Sequence, residues 1–341
     1  MLSVSKLGMN KINYYLNQLV EYYAGRGENP YATWMGTGAA RAALSGVQVV
    51  TEVFKSLLKG FDPTGEKKWV QNAGKFIGSE RDRMPGYDLT FSAPKSVSYL
   101  WSIAAPGVRA EIERDFHEAV AETMARIEAK SFIRVGKGSK IQVACGLVAM
   151  SVTHHTARQR DSQTRPDPQL HSHVLVINTG ITKDGKTGAL NGLKFLNKQT
   201  GRGDKQFALE FGQEFRQAFA AKLEARGFGI RLTDRAKFLW EIAGVSEPEI
   251  KRNSKRSKQI RAVAPDGTHS PRQRRAATIR TRQAKREFEP SELFAVWQSE
   301  AAQRGITAEI VADLRQTPEI EPGRALNQQL PRERGGRGID R

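Results

Sequence analysis

The sequence predicts a mixed helix and strand fold, a β-sheet with helices packed on it. Three observations predict it. Short runs rich in β-branched residues recur between Met1 and about Val245, stretches with apolar residues at helical spacing separate them, and polar turn signals close them off. In chain order, Leu2–Ser5 and Tyr87–Ser92 (YDLTFS) read as strands, and Phe116–Lys130 reads as a helix that ends in a lysine. Gln142–Thr153 and Ser172–Thr179 (SHVLVINT) read as two further strands, the second too short and too β-branched for a helix. DGKTG at 184–188 reads as a turn between strands. Phe207–Arg226 reads as a helix, with Gly227 placed to terminate it. The pattern alone leaves the strand directions open.

The 341 residues suffice for one large domain or two small ones, and 39% hydrophobic content leaves ample material for a core. Lys and Arg number 54 against 36 acidic residues, a net charge of +18. Such a surplus favours polyanionic partners, nucleic acid first and anionic membrane second. It is concentrated: residues 251–290 hold 13 Lys or Arg against Asp266, Glu287 and Glu289, so they carry +10 of the +18. The single cysteine, Cys145, excludes an intramolecular disulfide framework and a Cys-cluster zinc site, and fits a reducing compartment. No apolar run reaches the roughly 18 residues of a membrane span, and Met1–Val20 lacks the pattern of a signal peptide. A cytosolic, nucleic-acid-binding protein is expected. From about Pro318 onward the chain holds Pro, Gly and charge with little apolar content, so residues 307–341 are expected to be a linker or disordered tail.

Four of the six histidines fall in two clusters. His171 and His173 flank Ser172 at the head of SHVLVINT, and alternate strand residues share a face, so both imidazoles can reach one ion. His154 or His155, at the end of the preceding strand, can supply a third ligand. Three neutral imidazoles with open positions make a catalytic rather than a closed structural site. The bland alternative, one histidine packed and one solvated, has even weight for the HxH pair alone and loses it once a third histidine stands nearby. His117 and His269 read as bland. Asp88 lies in an otherwise apolar strand, where a carboxylate is costly unless partnered. It can fix the tautomer of a metal-bound histidine or accept a proton. An exposed strand Asp is the bland alternative.

Tyr14, Tyr15, Tyr22 and Tyr23 place four of the seven tyrosines within ten residues. If one helix ran through both pairs, they would lie on adjoining faces, offset by about 80°. A phenol with a pKa near 10 is a poor nucleophile unless its phenolate is stabilised. A divalent cation would act mainly on the electrophile, polarising a phosphodiester. Aromatic pairs that simply pack a core are the competing reading.

Gly86–Ser98, GYDLTFSAPKSVS, resembles the signature of the MobF-type conjugative relaxases. The paired tyrosines, WMGTGAARAALSG at 34–46 and DPQLHSHVLVIN at 167–178 stand around it in the family's order, and the resemblance covers Met1 to about Ile306. It implies an α+β fold of the HUH-endonuclease type, a central antiparallel sheet flanked by helices in a palm-and-fingers arrangement, with a mostly helical C-terminal part. It implies a relaxase core over 1–250, a basic helical DNA-clasping part over 251–306, and an enzyme that nicks one plasmid strand at an origin of transfer.

Carried over by position, Tyr14 is the nucleophile and Tyr22 serves a second transfer, with Tyr15 and Tyr23 as supporting aromatics. His154, His171 and His173 hold one divalent ion (Mg2+ or Mn2+, with Zn2+ also acceptable to histidines), and Asp88 orients a histidine or takes the tyrosine proton. His154 is preferred to His155 because the family's third ligand stands two places before a threonine, here Thr156. A longer stretch than usual around Asp161–Pro166 keeps His155 in play. Arg282 and Lys285 in TRQAK, and Lys255 and Arg256 in SKR, are the implied phosphate contacts. The implied partners are single-stranded origin DNA with a hairpin and nick region, relaxosome accessory proteins and a type IV secretion coupling protein. The implied location is the bacterial cytoplasm, with transfer to the recipient.

GITKDGKT at 180–187 fits the phosphate-loop pattern but is read as a chance match, because no nucleotide-binding domain of adequate length follows and DGKTG is a ready hairpin turn. Two other readings compete. A rolling-circle replication initiator or single-strand transposase would share the HxH and tyrosine chemistry. A non-catalytic DNA-binding protein would need only the basic stretch.

Overall fold

The computed structural model describes residues 1–8, 32–74, 84–136, 141–158, 165–191, 195, 203–265, 267–281 and 288–315. Tyr14, Tyr15, Tyr22, Tyr23, Arg282 and Lys285 lie outside them. Elements are numbered among the described residues.

An antiparallel sheet forms the centre. Its strands are β1 (Leu2–Lys6), β2 (Thr33–Met35), β3 (Gly86–Ser92), β6 (Gly146–Thr156) and β7 (Pro168–Ile181), in the spatial order β1-β3-β7-β6-β2, with β8 (Thr187–Gly188) pairing on β7. All of these pairings are antiparallel. This settles the strand directions as the family resemblance implied. The long central strand β7 lies between β3 and β6, so both of its edges are paired.

Period-two alternation gives the sheet two different faces. Tyr87, Leu89 and Phe91 of β3 point with Leu170, Val174 and Val176 of β7 into the larger core. That core is covered by α3 (Lys95–Ile103), α4 (Pro106–Ala129) and α5 (Lys205–Ala225), where Phe116 meets Phe215 and Phe219 edge to face and the latter two stack. The opposite face presents Val148, Met150 and Val152 of β6 with Leu175 and Ile177 of β7. There α1 (Thr37–Arg41) and α2 (Thr51–Lys59) cover them, with Phe54, Leu57 and Leu58 fully buried.

Helix α1 approaches β6 so closely that only glycine fits. A Cβ on Gly38 would lie 2.5 Å from the Gly146 carbonyl oxygen. The WMGTGAARA run is therefore a packing motif as much as a sequence signature. Gly227, at φ 90°, ends α5 as expected, and its Cβ would meet the Arg315 carbonyl.

Three elements differ from the sequence expectation. The helix through Phe116 starts ten residues earlier, at Pro106, because proline suits the first turn and Ala105 ahead of it is extended. The run Gln142–Thr153 divides at Cys145 into β5 (Ile141–Ala144), which pairs with β4 (Phe132–Val135), and β6. Residues 307–315, expected to begin a tail, form α10 (Ala308–Asp313) and its flank. Val311 is fully buried, and Arg315 bonds Glu111 at 2.8 Å. The GITKDGKT string is the β7–β8 hairpin, with Gly185 at φ 78° and Lys186 N–H donating to Thr182 Oγ1 at 2.9 Å.

Beyond the ribbon of β9 (Ile230–Asp234) and β10 (Leu239–Ile242), the described chain is helical: α6 (Glu247–Arg252), α7 (Lys255–Val263), α8 (Pro271–Arg280) and α9 (Pro290–Ala302). Leu293, Trp297 and Ala301 of α9 join the larger core. No described helix is long and apolar enough to cross a membrane.

Candidate metal centre and nucleic-acid interface

Register places the histidines. His154 of β6 pairs directly with His171 of β7, and Thr90 of β3 pairs with His173. The three imidazoles meet on the face covered by α1 and α2, with ring centroids 5.3, 5.3 and 5.4 Å apart. Three imidazoles bound to one ion at about 2 Å per nitrogen would hold their centroids roughly 5 Å apart. Among the described residues no three His, Cys, Asp or Glu side chains stand ready arranged to hold an ion outright. The strand register nevertheless brings the three rings within 5.4 Å of one another.

His155, one residue along, points to the other face. Its Nε2 lies 3.0 Å from Glu113 Oε1 of α4, and its ring lies 4.8 Å from that of Trp101. It does not join the His171 and His173 rings. His117, read as bland from sequence, lies on that same far side, 2.9 Å from Thr153 Oγ1, which is 2.7 Å from Ser172 Oγ. This buried chain joins β6 and β7 directly behind the three rings.

Asp88 is fully buried, and its Oδ1 lies 2.8 Å from His173 Nδ1. A carboxylate only accepts, so the His173 proton sits on Nδ1 and the lone pair on Nε2. His171 Nδ1 donates to the Gln169 carbonyl at 2.9 Å, which fixes the same tautomer. Burial, and then the neighbouring His173, push the His171 pKa down to about 4, so its ring is neutral as a metal ligand must be. Thr90, which sequence reasoning passed over, lies within reach of both Asp88 and His173. Its place two residues after Asp88 on the same strand face was the available signal.

The start of β7 is clamped from three sides. Lys95 of α3 donates to the Pro168 carbonyl at 2.8 Å, and Trp297 Nε1 of α9 to the Pro166 carbonyl at 3.1 Å. The Lys255 backbone N–H, opening α7, donates to Asp167 Oδ2 at 2.6 Å, and its ammonium lies 3.4 Å from Oδ1. The basic helices are thereby tied to the strand that carries His171. Arg256 donates to the Thr278 carbonyl at 2.7 Å and the Thr281 carbonyl at 2.8 Å, gripping the end of α8 and Thr281, the first residue of TRQAK. Between the β9–β10 ribbon and α6–α7 lies a cavity of about 680 Å3, lined by Arg231, Lys251, Arg252, Lys258 and Arg261 against two glutamates.

The TrwC relaxase family model matches residues 9–304. The chain belongs to the TrwC relaxase family. Its curated relatives include the multifunctional conjugation protein TraI of Escherichia coli, 32% identical over 309 residues, 89% of this chain. The chain spans only 16% of that relative's length. Among solved structures, it resembles the metal-bound conjugative relaxase TrwC in complex with OriT DNA (28% identity, TM-score 0.74). It also resembles TrwC complexed with a 27-mer DNA comprising the recognition hairpin and the cleavage site (27% identity, TM-score 0.73). Each likeness covers 90% of this chain and all of the TrwC chain. The antiparallel sheet with flanking helices is thus the relaxase fold.

Proposed function

We propose that this chain is a conjugative relaxase, a site- and strand-specific DNA nicking and rejoining enzyme acting at an origin of transfer. The observation that carries the reading is the meeting of His154, His171 and His173 on adjacent strands, with Asp88 behind His173, in a chain of the relaxase family. The Tyr14 hydroxyl attacks phosphorus of the scissile phosphodiester and the bond to the 3′ oxygen breaks. A 5′-phosphotyrosine and a free 3′-OH result. Because the phosphodiester energy is conserved, attack by a 3′-OH on the phosphotyrosine reseals the strand and releases the tyrosine. Tyr22 serves the second transfer while Tyr14 is occupied, and Tyr15 and Tyr23 support them.

The donor set fits a divalent cation. His154, His171 and His173 would hold it, neutral as a ligand must be, and Asp88 would keep the His173 lone pair on Nε2. When bound, the ion supplies Lewis-acid polarisation of the scissile phosphate. Mg2+ and Mn2+ suit the phosphate oxygens, and Zn2+ suits the imidazoles. Lys255, Arg256, Arg282 and Lys285 contribute to the basic surface that takes the single-stranded origin DNA, hairpin and nick region together. Relaxosome accessory proteins and a type IV coupling protein are the proposed partners, and the donor cytoplasm is the proposed location.

The test is incubation with a single-stranded oligonucleotide of the plasmid's own transfer origin and Mn2+. The parent protein should form a covalent adduct carried by Tyr14, and Tyr14→Phe should bind the strand without forming one. Retention of the strand with no cleavage, or a full-yield adduct in Tyr14→Phe, would overturn the assignment.

A further inference from the structure

Asp88 does not stand opposite His173. Its register partner on β7 is Leu175, two residues further along, whereas the residue facing His173 is Thr90. The Asp88 carboxylate must therefore reach His173 diagonally, a route of roughly 7–8 Å between Cα positions. Thr90 stands beside that route. Its Oγ1 lies 3.2 Å from Asp88 Oδ1 and 3.1 Å from His173 Nδ1, closing a triangle with the 2.8 Å contact between His173 and Asp88.

The triangle has one consistent arrangement of protons. A carboxylate has no proton to give, so the imidazole N–H and the threonine O–H both point at Asp88 Oδ1. Were the Thr90 proton turned toward Nδ1, a nitrogen lone pair would face a buried carboxylate at hydrogen-bond distance, which is repulsive. Asp88 is fully buried, so each donor it receives offsets a large desolvation cost. For a side chain that reaches diagonally, the Thr90 hydroxyl is a donor placed to hold the carboxylate at its angle.

We infer that Thr90 is a positioning residue of the histidine centre, its hydroxyl holding Asp88 at the angle that keeps the His173 proton on Nδ1 and the lone pair on Nε2. The inference rests on the reading of His173 as a metal ligand. Loss of the hydroxyl removes one of the contacts that hold Asp88, so His173 populates more of the other tautomer, which has to lose its Nε2 proton before it can bind an ion. Outer partners of ligating histidines commonly change metal affinity by about 10- to 100-fold.

The experiment compares Thr90→Val, which keeps the shape, with Thr90→Ser, which keeps the hydroxyl. Mn2+ affinity is measured by calorimetry on the full chain without DNA. The His173 tautomer is read from the imidazole 15N shifts of the metal-free protein. The valine variant should bind Mn2+ about tenfold more weakly and show an Nε2–H population. The serine variant should lie within about threefold of the parent and keep Nδ1–H. Parent-like Mn2+ affinity and an unchanged tautomer in Thr90→Val would overturn the inference. So would equal weakening in both variants with a lowered Tm, because that marks a merely structural role. His173→Ala separates the two readings. If it keeps parent-like Mn2+ affinity, the ligand assignment falls, and the tautomer alone then decides the role of Thr90.

Discussion

His154 and His171 face each other directly across the β6–β7 ladder, their rings stacked 5.3 Å apart with 21° between the planes. The neighbouring His155 is turned through the sheet to Glu113 and Trp101. One step along a strand thus separates a histidine that meets His171 and His173 from one that braces α4.

Substitution distinguishes the two. His154→Ala should weaken Mn2+ binding by about 100-fold or more, as expected for removal of one of three ligands. His155→Ala should leave Mn2+ affinity within about threefold and lower stability by about 1–3 kcal/mol, because Glu113 and Trp101 are left without the imidazole. Calorimetric titration with Mn2+ and chemical denaturation of both variants check this. The reverse ranking of metal affinities would reassign the third ligand.

Tyr22→Phe should nick once at a rate close to the parent, because the first transfer uses Tyr14. It should fail when a second cleavage is demanded of protein already joined to DNA. Two sequential oligonucleotide challenges, resolved on a denaturing gel, measure this. A normal second cleavage would remove Tyr22 from the mechanism.

Binding to single-stranded DNA should weaken steeply with salt. Changing Arg282 and Lys285 together to Ala should reduce the slope of log K against log salt by about two, roughly one for each phosphate that is no longer neutralised. Fluorescence anisotropy at several salt concentrations measures it. An unchanged slope means that neither side chain touches phosphate.

Lys95 provides a pH signature. Burial, opposed by Asp167 and Glu241 and reinforced by Lys255, pushes its pKa from 10.5 down to about 8. Between those values the unfolded chain holds a proton that the folded chain has released, so stability rises with pH. The cost of the buried charge is complete below pH 8 and relieved by about pH 10.5. At about 1.4 kcal/mol per pKa unit it totals at most about 3 kcal/mol, because the side chain is partly exposed. The stability difference between parent and Lys95→Met, from urea unfolding at pH 7 to 10.5, should move in the parent's favour over that window. A pH-independent difference would contradict it.

Gly38→Ala should lower stability by about 1–3 kcal/mol, since its methyl group would meet the Gly146 and Leu147 carbonyls and neither strand nor helix can yield cheaply. A thermal melt of the variant tests this. A Tm equal to that of the parent would show that α1 can shift away from β6.

Much of this was legible in the chain. The period-two pattern of YDLTFS and SHVLVINT fixes which residues share a strand face, so His171 with His173, and Asp88 apart from Leu89, follow from spacing alone. The Gly227 helix stop and the DGKTG turn are local backbone preferences, and local chemistry is written in local sequence. Pro106 was a local start signal as well, since proline suits a first helical turn, although the apolar spacing drew the start to Phe116. The strand break at Cys145 was not legible, because it depends on β5 leaving the line of β6 to pair with β4.

By itself, then, the sequence determined the types of the elements, the residues able to carry chemistry and the family signature. Tertiary structure decided the partners: that His154 rather than His155 meets His171, that Thr90 stands between Asp88 and His173, and that Asp167 ties α7 to the strand of the histidines. Strand pairing sets His154 opposite a residue far along the chain, and a shift of one residue would send every side chain of the strand to the other face. That register is set by the summed burial of Val152, Met150, Leu175 and Ile177 against α1 and α2, a quantity spread over the whole sheet and visible at no single position.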